Sequence, residues 1–399
     1  MPEPLPSTMA ELTDWARHRR GADPVYYDER QEAWQIFRYA DIAAILKDPP
    51  RYLADLGNLV ASTPELELVQ RGNFVNMDGP RHRLMRGRVA QAFHPRAVAA
   101  MEPRLEVMVR DLLDGLAGRD AFDLVGELAY PLPVMVIAEL IGIPGGDREL
   151  FRGWAEEFFP FDEEEPQLTS SQEAVDTLTP TVKEMTAYLF EHIHRRRRGT
   201  YDDLTARLVE AADAQGGEDG ERLTDEDLVG MIALLLTAGH ITTAALLGSC
   251  VLQLDRHPRA AAEVRAAPEL LPLAIEEVLR FHPPLPRLTR RTATEVTVGG
   301  RTVPEGQILA LWLVSANRDE AEFADPDRFD VRRRPNPHLS FGHGIHFCLG
   351  AGLARLETRI ALRQLFERYG RIEVAGEGRF HHPFAILSAK NLPVRVTPV

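Results

Sequence analysis

A cysteine lies in a glycine-rich segment directly before a long predicted helix. Cys348 follows Gly342 and Gly344 and precedes Gly350, and glycines let the backbone approach a bound group closely. The start of the helix and nearby amide groups should lower the pKa of a thiol at this position. A thiolate of this kind is a single anionic ligand that suits heme iron. The alternative is a buried structural cysteine, which is the role we assign to Cys250 within an apolar helix.

The composition excludes several classes of protein. Of the 399 residues, 44% are hydrophobic and 27% are charged, as in a globular protein, and the net charge of -14 argues against binding to nucleic acid. Two cysteines cannot build a disulfide framework, a four-cysteine zinc site or an iron-sulfur cluster. No Gly-x-Gly-x-x-Gly motif follows a strand and no secretory signal is recognisable, so we expect a cytoplasmic protein without its own nicotinamide site.

Apolar periodicity predicts a mainly α-helical chain with small β-sheets. Its longest helix is the uncharged segment from Leu228 to Leu254, which is long enough to cross a membrane. We prefer a buried central helix with no membrane span, because the segment carries polar side chains and follows a capping box of Thr224 and Asp227. Other helices are predicted over residues 40–47, 81–92, 101–117, 128–141, 174–196, 268–282 and 349–369, the last capped by Gly370, and strands over 34–37, 295–303 and 308–314. We treat residues 1–399 as one domain with an N-terminal extension over 1–29.

The segment around Cys348 resembles a known family. Residues 341–350 match the pattern Phe-x-x-Gly-x-His-x-Cys-x-Gly of the cytochrome P450 superfamily at every fixed position, and the likeness to its soluble bacterial members spans roughly residues 30 to 395. It implies a triangular prism that holds heme b, iron protoporphyrin IX, between the long central helix and the helix after the cysteine. Cys348 would then be the axial ligand of the iron. Other residues of this loop and Ala238 of the central helix would line the heme, the loop residues being Phe341, Gly342, His346 and Gly350.

A second motif, Glu277-Val-Leu-Arg280, resembles the Glu-x-x-Arg element of the family. Residues three apart share one face of a helix, so the two side chains can form an ion pair. In the family this pair is buried and joins the helix to a nearby meander. By the same resemblance, Arg328 would be the third member of that network.

A third motif resembles the helix that presents a histidine and an arginine to a heme propionate. His82 and Arg86 lie four residues apart, and their bonds to a carboxylate would be charge-assisted. The resemblance adds Arg291 and His346 to this propionate shell, while the adjacent Arg290 keeps the choice of arginine open.

The fourth motif, residues 238–243, resembles the groove in which the family activates oxygen. Thr242 can bond to the carbonyl of Ala238 and open the helix locally. The family usually has Asp or Glu where this chain has Ile241. Protons must then come through water, through a hydroxyl of the substrate or from a residue not yet placed, and we assign His240 a structural role because neighbours in a helix do not share a face.

The resemblance implies a heme-thiolate monooxygenase that uses O2 to hydroxylate or epoxidise a hydrophobic or amphipathic small molecule. A secondary-metabolite intermediate, polyketide or macrolide or peptide, is the expected substrate. The substrate pocket would draw on residues 53–77, 155–182, 231–243, 284–288 and 383–387, including Leu235, Ile241, Leu285, Leu288, Phe384 and Ile386. Oxidative coupling or ring closure is the alternative that Ile241 keeps open, and a non-catalytic heme sensor or carrier is the remote one.

Electrons must come from other proteins if the chain has no cofactor for NAD(P)H of its own. The resemblance implies a ferredoxin and its NAD(P)H-dependent ferredoxin reductase as external donors to a monomeric enzyme. Arginines near the cysteine loop could form a basic docking face for the ferredoxin, or only a solvated surface: Arg332, Arg333, Arg334, Arg355 and Arg359.

Overall fold

Helices form most of the chain, which the computed structural model describes over residues 6–57, 63–158, 172–214, 223–376 and 378–399. The helices are α1 (Met9–Ala22), α2 (Tyr39–Leu46), α3 (Pro64–Gln70), α4 (Gly79–Ala90), α5 (Pro95–Ala100), α6 (Glu102–Asp114), α7 (Pro131–Leu140), α8 (Arg148–Phe158), α9 (Gln172–Arg198), α10 (Leu204–Asp213), α11 (Asp225–Arg256), α12 (Pro258–Ala266), α13 (Leu271–Phe281), α14 (Leu313–Ala316) and α15 (Ala351–Arg368). The predicted fold class, mainly α with small sheets, is confirmed.

The strands form small sheets beside the helical core. They are β1 (Val25–Asp28), β2 (Ala33–Ile36), β3 (Tyr52–Leu53), β4 (Ala121–Asp123), β5 (Arg287–Thr292), β6 (Val296–Val298), β7 (Arg301–Val303), β8 (Ile308–Trp312), β9 (Tyr369–Val374), β10 (Arg379–Phe380), β11 (Ala389–Asn391) and β12 (Pro393–Pro398). The largest sheet has the order β1-β2-β8-β5-β3, and only β2 and β8 run parallel in it. The predicted hairpin is present as the antiparallel pair β6 and β7.

The N-terminal helix packs against this sheet. Leu12 and Ala16 of α1 are buried in a cluster with Phe37 and Trp312, and Trp15 lies edge-on to Trp312 at 4.9 Å between ring centroids. Residues 9–22, which the sequence placed in an N-terminal extension, are therefore part of the packed structure.

The central helix α11 crosses the middle of the helical core. Thr224 and Asp227 form the predicted capping box at its start. Its most apolar stretch has a mean hydropathy of 1.7 and would be long enough to span a membrane, but 78% of that stretch is buried inside the fold, as in a core helix. The burial is interrupted in mid-helix, where Ala238 is exposed and Thr242 is half-buried. We call this interruption the open face of α11.

Helix α3 is held tightly against the N-terminal part of α11. At this crossing Gly72 and Gly230 approach so closely that a Cβ on Gly72 would lie 2.2 Å from the carbonyl oxygen of Asp227. The buried carboxylate of Asp227 also accepts a hydrogen bond of 2.6 Å from Arg81 at the start of α4. Only glycine fits such a backbone approach, so α3, α4 and α11 are fixed to one another at this point.

The end of α15 differs from the prediction. The helix passes directly into β9 at Tyr369, whose backbone is extended, and Gly370 is a strand residue rather than a helix cap. The pairing of β9 with β12, which lies beyond it in sequence, explains the difference. A long-range strand partner removes the need for a capping turn.

Candidate active site

The loop before α15 brings Cys348 to the surface of a partly open cavity. Gly342 and Gly344 have positive φ angles of 69° and 71°, and a Cβ on Gly344 would lie 2.6 Å from the carbonyl oxygen of Leu46. The amide of Cys348 donates a hydrogen bond of 2.8 Å to the carbonyl oxygen of Phe341, which closes the loop. These contacts fix the direction of a thiol that is itself exposed.

The backbone amides of Gly350 and Ala351 lie near the Cys348 sulfur and favour its charged form. Although the sulfur faces a cavity, it lies deep within the fold, and this burial raises the pKa of the thiol despite those amides and the nearby Arg86 and Arg355. The prediction of a lowered pKa is therefore wrong for the protein alone. Coordination to a metal deprotonates a thiol outright and would reverse the balance.

Two histidines from distant elements meet beside this loop. The rings of His82 on α4 and His346 in the cysteine loop lie 4.3 Å apart between centroids. Both ring nitrogens of His82 are buried without a hydrogen-bond partner, and burial, with His346 and Arg86 nearby, lowers its pKa to about 4. Nε2 of His346 lies 3.6 Å from Oδ1 of Asp78, which is longer than a hydrogen bond.

The structure separates the two candidate arginines of β5. Arg290 is buried on the same side of the strand as Leu288 and lies in the field of Asp78. Arg291 points to the other side, where its Nε donates a hydrogen bond of 2.9 Å to the carbonyl oxygen of Asp55. Because successive strand residues face opposite ways, Arg291 does not share the side of Leu288 and Arg290, and this placement favours Arg290 over Arg291 as a ligand of a propionate.

These residues fit a heme. Propionate carboxylates would satisfy the unpartnered nitrogens of His82. They would also bind the guanidinium of Arg290, which in the protein alone donates to the carbonyl oxygen of Thr289. Within the described ranges no three His, Cys, Asp or Glu side chains lie close enough to hold a metal ion. A single thiol therefore suits an iron that brings its remaining ligands with it, as the iron of a porphyrin does.

The open face of α11 carries the predicted threonine bond. The hydroxyl of Thr242 donates a hydrogen bond of 3.0 Å to the carbonyl oxygen of Ala238. Ile241 turns away and is buried against Ala245 and Ile386. His240 is also buried: its Nδ1 lies 2.7 Å from the carbonyl oxygen of Leu236, and burial lowers its pKa to about 4.

The Glu-x-x-Arg pair is fully buried. Glu277 accepts two hydrogen bonds of 2.8 Å from Arg280, whose guanidinium also binds the carbonyl oxygens of Asn317 and Pro326. The third side chain is that of Arg333, whose Nε lies 3.2 Å from both carboxylate oxygens of Glu277.

Arg328 takes a different part in this network from the one expected. Its side chain is 70% exposed, and only its backbone carbonyl accepts hydrogen bonds, from Arg280 at 3.2 Å and Arg333 at 3.0 Å. The neighbouring Phe329 is buried in the core, whereas the Arg328 side chain lies at the surface. The assignment of Arg328 is thus corrected to Arg333, which no sequence signal distinguishes from the adjacent Arg332 and Arg334.

The substrate-pocket candidates divide into two groups. Leu285 and Leu288 are half-buried, and Leu288 lies next to Gly342 of the cysteine loop. Leu235 is buried in the helical core, and Phe384 packs on Trp312 at 4.9 Å between centroids, so neither lines an open surface. Residues 58–62 and 159–171 of the expected pocket lie outside the described ranges.

Two residues of the site were missed in the sequence. Asp78, which precedes α4, approaches His346, and its position four residues before His82 could have drawn attention to it. Glu276 binds Arg355 through two hydrogen bonds of 2.6 and 2.8 Å beside Cys348. It stands next to Glu277, and only the structure separates the partners of the two carboxylates.

Comparison with known proteins agrees with this geometry. A family profile for cytochrome P450 matches residues 156–380. The cyclomarin C epoxidase CymV of Salinispora arenicola is 42% identical over 92% of this chain and 90% of its own length, and the erythromycin C-12 hydroxylase of Saccharopolyspora erythraea is 39% identical over 96% and 94%. The crystal structure of HmtN, a post-tailoring hydroxylase involved in himastatin biosynthesis, is 38% identical and has a TM-score of 0.84 over 96% of both chains. The chain belongs to the cytochrome P450 family.

Proposed function

We propose that this cytochrome P450 monooxygenase hydroxylates or epoxidises an intermediate of secondary metabolism. The observation that carries the proposal is the hydrogen bond from Thr242 to the carbonyl oxygen of Ala238 at the open face of an otherwise buried helix. A threonine in this arrangement serves oxygen activation, whereas a heme carrier would have no use for it. Product formed under labelled dioxygen tests the proposal, which requires one labelled oxygen atom in the product.

Heme b would be held by the residues that converge beside the cysteine loop. Cys348 would bind the iron, and His82, Arg86, Arg290 and His346 would bind the propionates. Bound heme supplies an iron that, with an axial thiolate, activates dioxygen. The protein must orient the substrate, exclude water and control protons.

Thr242 has a defined part in proton control. Its O–H donates to the carbonyl oxygen of Ala238, so its oxygen is left as an acceptor that can hold a water molecule at the open face of α11. Ile241 offers no carboxylate, and it is packed against Ala245 and Ile386. The proton source is therefore water held at Thr242 or a hydroxyl of the substrate itself.

The substrate is proposed to be hydrophobic or amphipathic, of polyketide, macrolide or peptide origin. Leu285 and Leu288 offer apolar surface near the cysteine loop. Two curated relatives act, by name, on cyclomarin C and at C-12 of erythromycin, and the structural neighbour HmtN belongs to himastatin biosynthesis. Screening such metabolites for a shift of the heme absorption band toward the high-spin form identifies those that enter the site.

Electrons come from external proteins, as in the bacterial relatives, and we propose a ferredoxin with its NAD(P)H-dependent reductase. The expected basic docking face is largely neutralised within the protein. Arg355 pairs with Glu276, Arg359 with Glu102 at 2.7 Å and Arg332 with Glu263 at 2.8 Å. Long-range attraction should therefore contribute less to docking than the arginine count implies. We also propose that the enzyme is monomeric, cytoplasmic and built as a single domain.

A second candidate function is oxidative coupling or ring closure. The apolar cluster around Ile241 favours it, because a poor proton supply slows the insertion of oxygen. Product analysis distinguishes the two: coupling removes two hydrogen atoms from the substrate and adds no oxygen. Steady NAD(P)H-dependent turnover would exclude a non-catalytic heme carrier.

A further inference from the structure

We propose that Arg355 tunes the electron donation of the Cys348 thiolate, and that Glu276 is the residue that holds Arg355 in place. The inference rests on the proposed ligation of heme iron by Cys348. Arg355 is a positioning residue here, since it acts on the ligand and not on the substrate.

Glu276 lies on α13, and its carboxylate accepts hydrogen bonds from two side chains. It accepts hydrogen bonds of 2.6 and 2.8 Å from Nε and Nη2 of Arg355, and a third of 3.1 Å from Nε2 of His338. Nδ1 of His338 accepts from the amide of Ser340 at 3.3 Å, so the ring proton lies on Nε2 and points at Glu276. Burial alone would raise the pKa of Glu276, but these bonds lower it to about 2 and keep it charged.

Arg355 packs against Phe341 of the cysteine loop. Its guanidinium carbon lies 4.5 Å from the ring centroid of Phe341, the residue whose carbonyl oxygen accepts the Cys348 amide at 2.8 Å. Arg355 and Cys348 line the same cavity, of about 650 Å³. The bidentate ion pair with Glu276 and the contact with the Phe341 ring together fix the position of the guanidinium.

A fixed positive charge beside the thiolate draws electron density from sulfur and so reduces donation to the iron. It also favours the reduced state, in which the iron and its ligand carry one more negative charge. Loss of this charge should lower the reduction potential of the bound heme. Glu276 binds the guanidinium through Nε and Nη2, and the positive charge of Arg355 is among those that act on the Cys348 sulfur. The pair should therefore act as a dipole with its positive end toward the loop.

The chain offers a matched control one turn further along α15. Arg359 lines the same cavity and pairs with Glu102 at 2.7 Å, and its side chain is 34% exposed against 36% for Arg355. It differs in lacking any described contact with Phe341. Both ion pairs line the same cavity. If only the total charge of the cavity mattered, removing either pair would change the reduction potential equally.

The test is a redox titration of the full heme-loaded protein with double variants. Glu276→Gln with Arg355→Gln removes one pair without leaving an unpaired carboxylate, and Glu102→Gln with Arg359→Gln removes the other. We expect the first to shift the ferric-ferrous equilibrium toward ferric by up to about tenfold, about 59 mV for a one-electron couple, and the second to leave it unchanged. Equal shifts in both variants, or none in the first, would overturn the inference.

Arg355→Lys keeps the charge without the bidentate pair, and it should give a smaller shift in the same direction. It also serves if the double variant fails to fold. A potential equal to that of the unmodified protein would contradict the role given to the pair with Glu276. Failure of the ligation itself is distinguishable, because it would abolish the absorption of a thiolate-bound heme in every variant.

Discussion

The hydroxyl of Thr242 donates a hydrogen bond of 3.0 Å to the carbonyl oxygen of Ala238, one turn earlier in the central helix. Thr243 makes the same bond to Gly239 at 3.1 Å. The two threonines differ in their exposure. Thr242 is half-buried and bonds to the exposed residue Ala238, whereas Thr243 is buried. Only the bond of Thr242 borders the open face of α11, so the pair offers a built-in comparison.

Thr242→Ala should lower the amount of product formed per NAD(P)H consumed and raise the release of hydrogen peroxide. The reason is the loss of the hydroxyl that we place at the open face of α11 to hold a water molecule. Thr242→Ser should retain most of the coupling, because it keeps the hydroxyl. Thr243→Ala is the control, and equal uncoupling by both alanine variants would contradict the role given to Thr242.

Arg290→Gln should weaken heme binding more than Arg291→Gln. A charge-assisted hydrogen bond to a carboxylate contributes about 1.5–3 kcal/mol, so the rate of heme loss should rise roughly tenfold to a hundredfold. Arg291 already binds the carbonyl oxygen of Asp55, and its loss should change heme retention little. Transfer of heme to an excess of a heme-binding acceptor measures both rates, and the reverse order would restore Arg291 to the propionate shell.

Gly230→Ala should destabilise the protein and weaken substrate binding. A Cβ at this position would lie 2.4 Å from the backbone nitrogen of Gly72, so α3 must move away from α11. Overpacking of this kind costs about 1–3 kcal/mol. Gly248→Ala in the same helix is the control, because its Cβ would meet only Val125 at 3.9 Å. Urea unfolding measures the stability of both variants, and substrate titration measures their affinity. Equal stability and equal affinity of the two variants would contradict the close crossing of α3 and α11.

Glu357→Gln should change how stability depends on pH. Glu357 is buried on α15 with Oε2 unpartnered, and burial raises its pKa well above the ordinary value. Its contribution is therefore complete below the pKa of the unfolded chain and is lost as pH rises above it, since only the folded state keeps the proton. We expect the free energy of unfolding to fall less steeply between about pH 5 and pH 8 in the glutamine variant. Parallel curves for the two proteins would show that Glu357 is charged in the fold.

Local patterns explain what the sequence predicted well. The central helix, its capping box at Thr224 and the loop of Cys348 depend on apolar periodicity and on glycines at fixed positions, which neighbouring residues determine. Choices between nearby arginines depend on contacts that the sequence does not show. Arg290 and Arg291 differ only in which face of β5 they occupy, and Arg333 and Arg328 only in how a turn orients them.

Long-range contacts account for the remaining differences. The pairing of β9 with β12 and the crossing of Gly72 with Gly230 join segments far apart in the chain, and neither leaves a local pattern. Phe384 looked like a pocket residue because it is apolar and lies in a late loop. Its burial depends on Trp15 and Trp312, which no periodicity connects to it.

Ligation of heme iron by the sulfur of Cys348 is the claim on which the account depends. Cys348→Ser keeps a side chain of similar shape but replaces the sulfur with oxygen. The variant should lose the red-shifted absorption that a thiolate ligand gives the reduced carbon-monoxide complex. Cys250→Ser is the control, because Cys250 is fully buried within α11, and it should keep that absorption. Retention of the red-shifted band by the Cys348→Ser protein would show that another residue binds the iron.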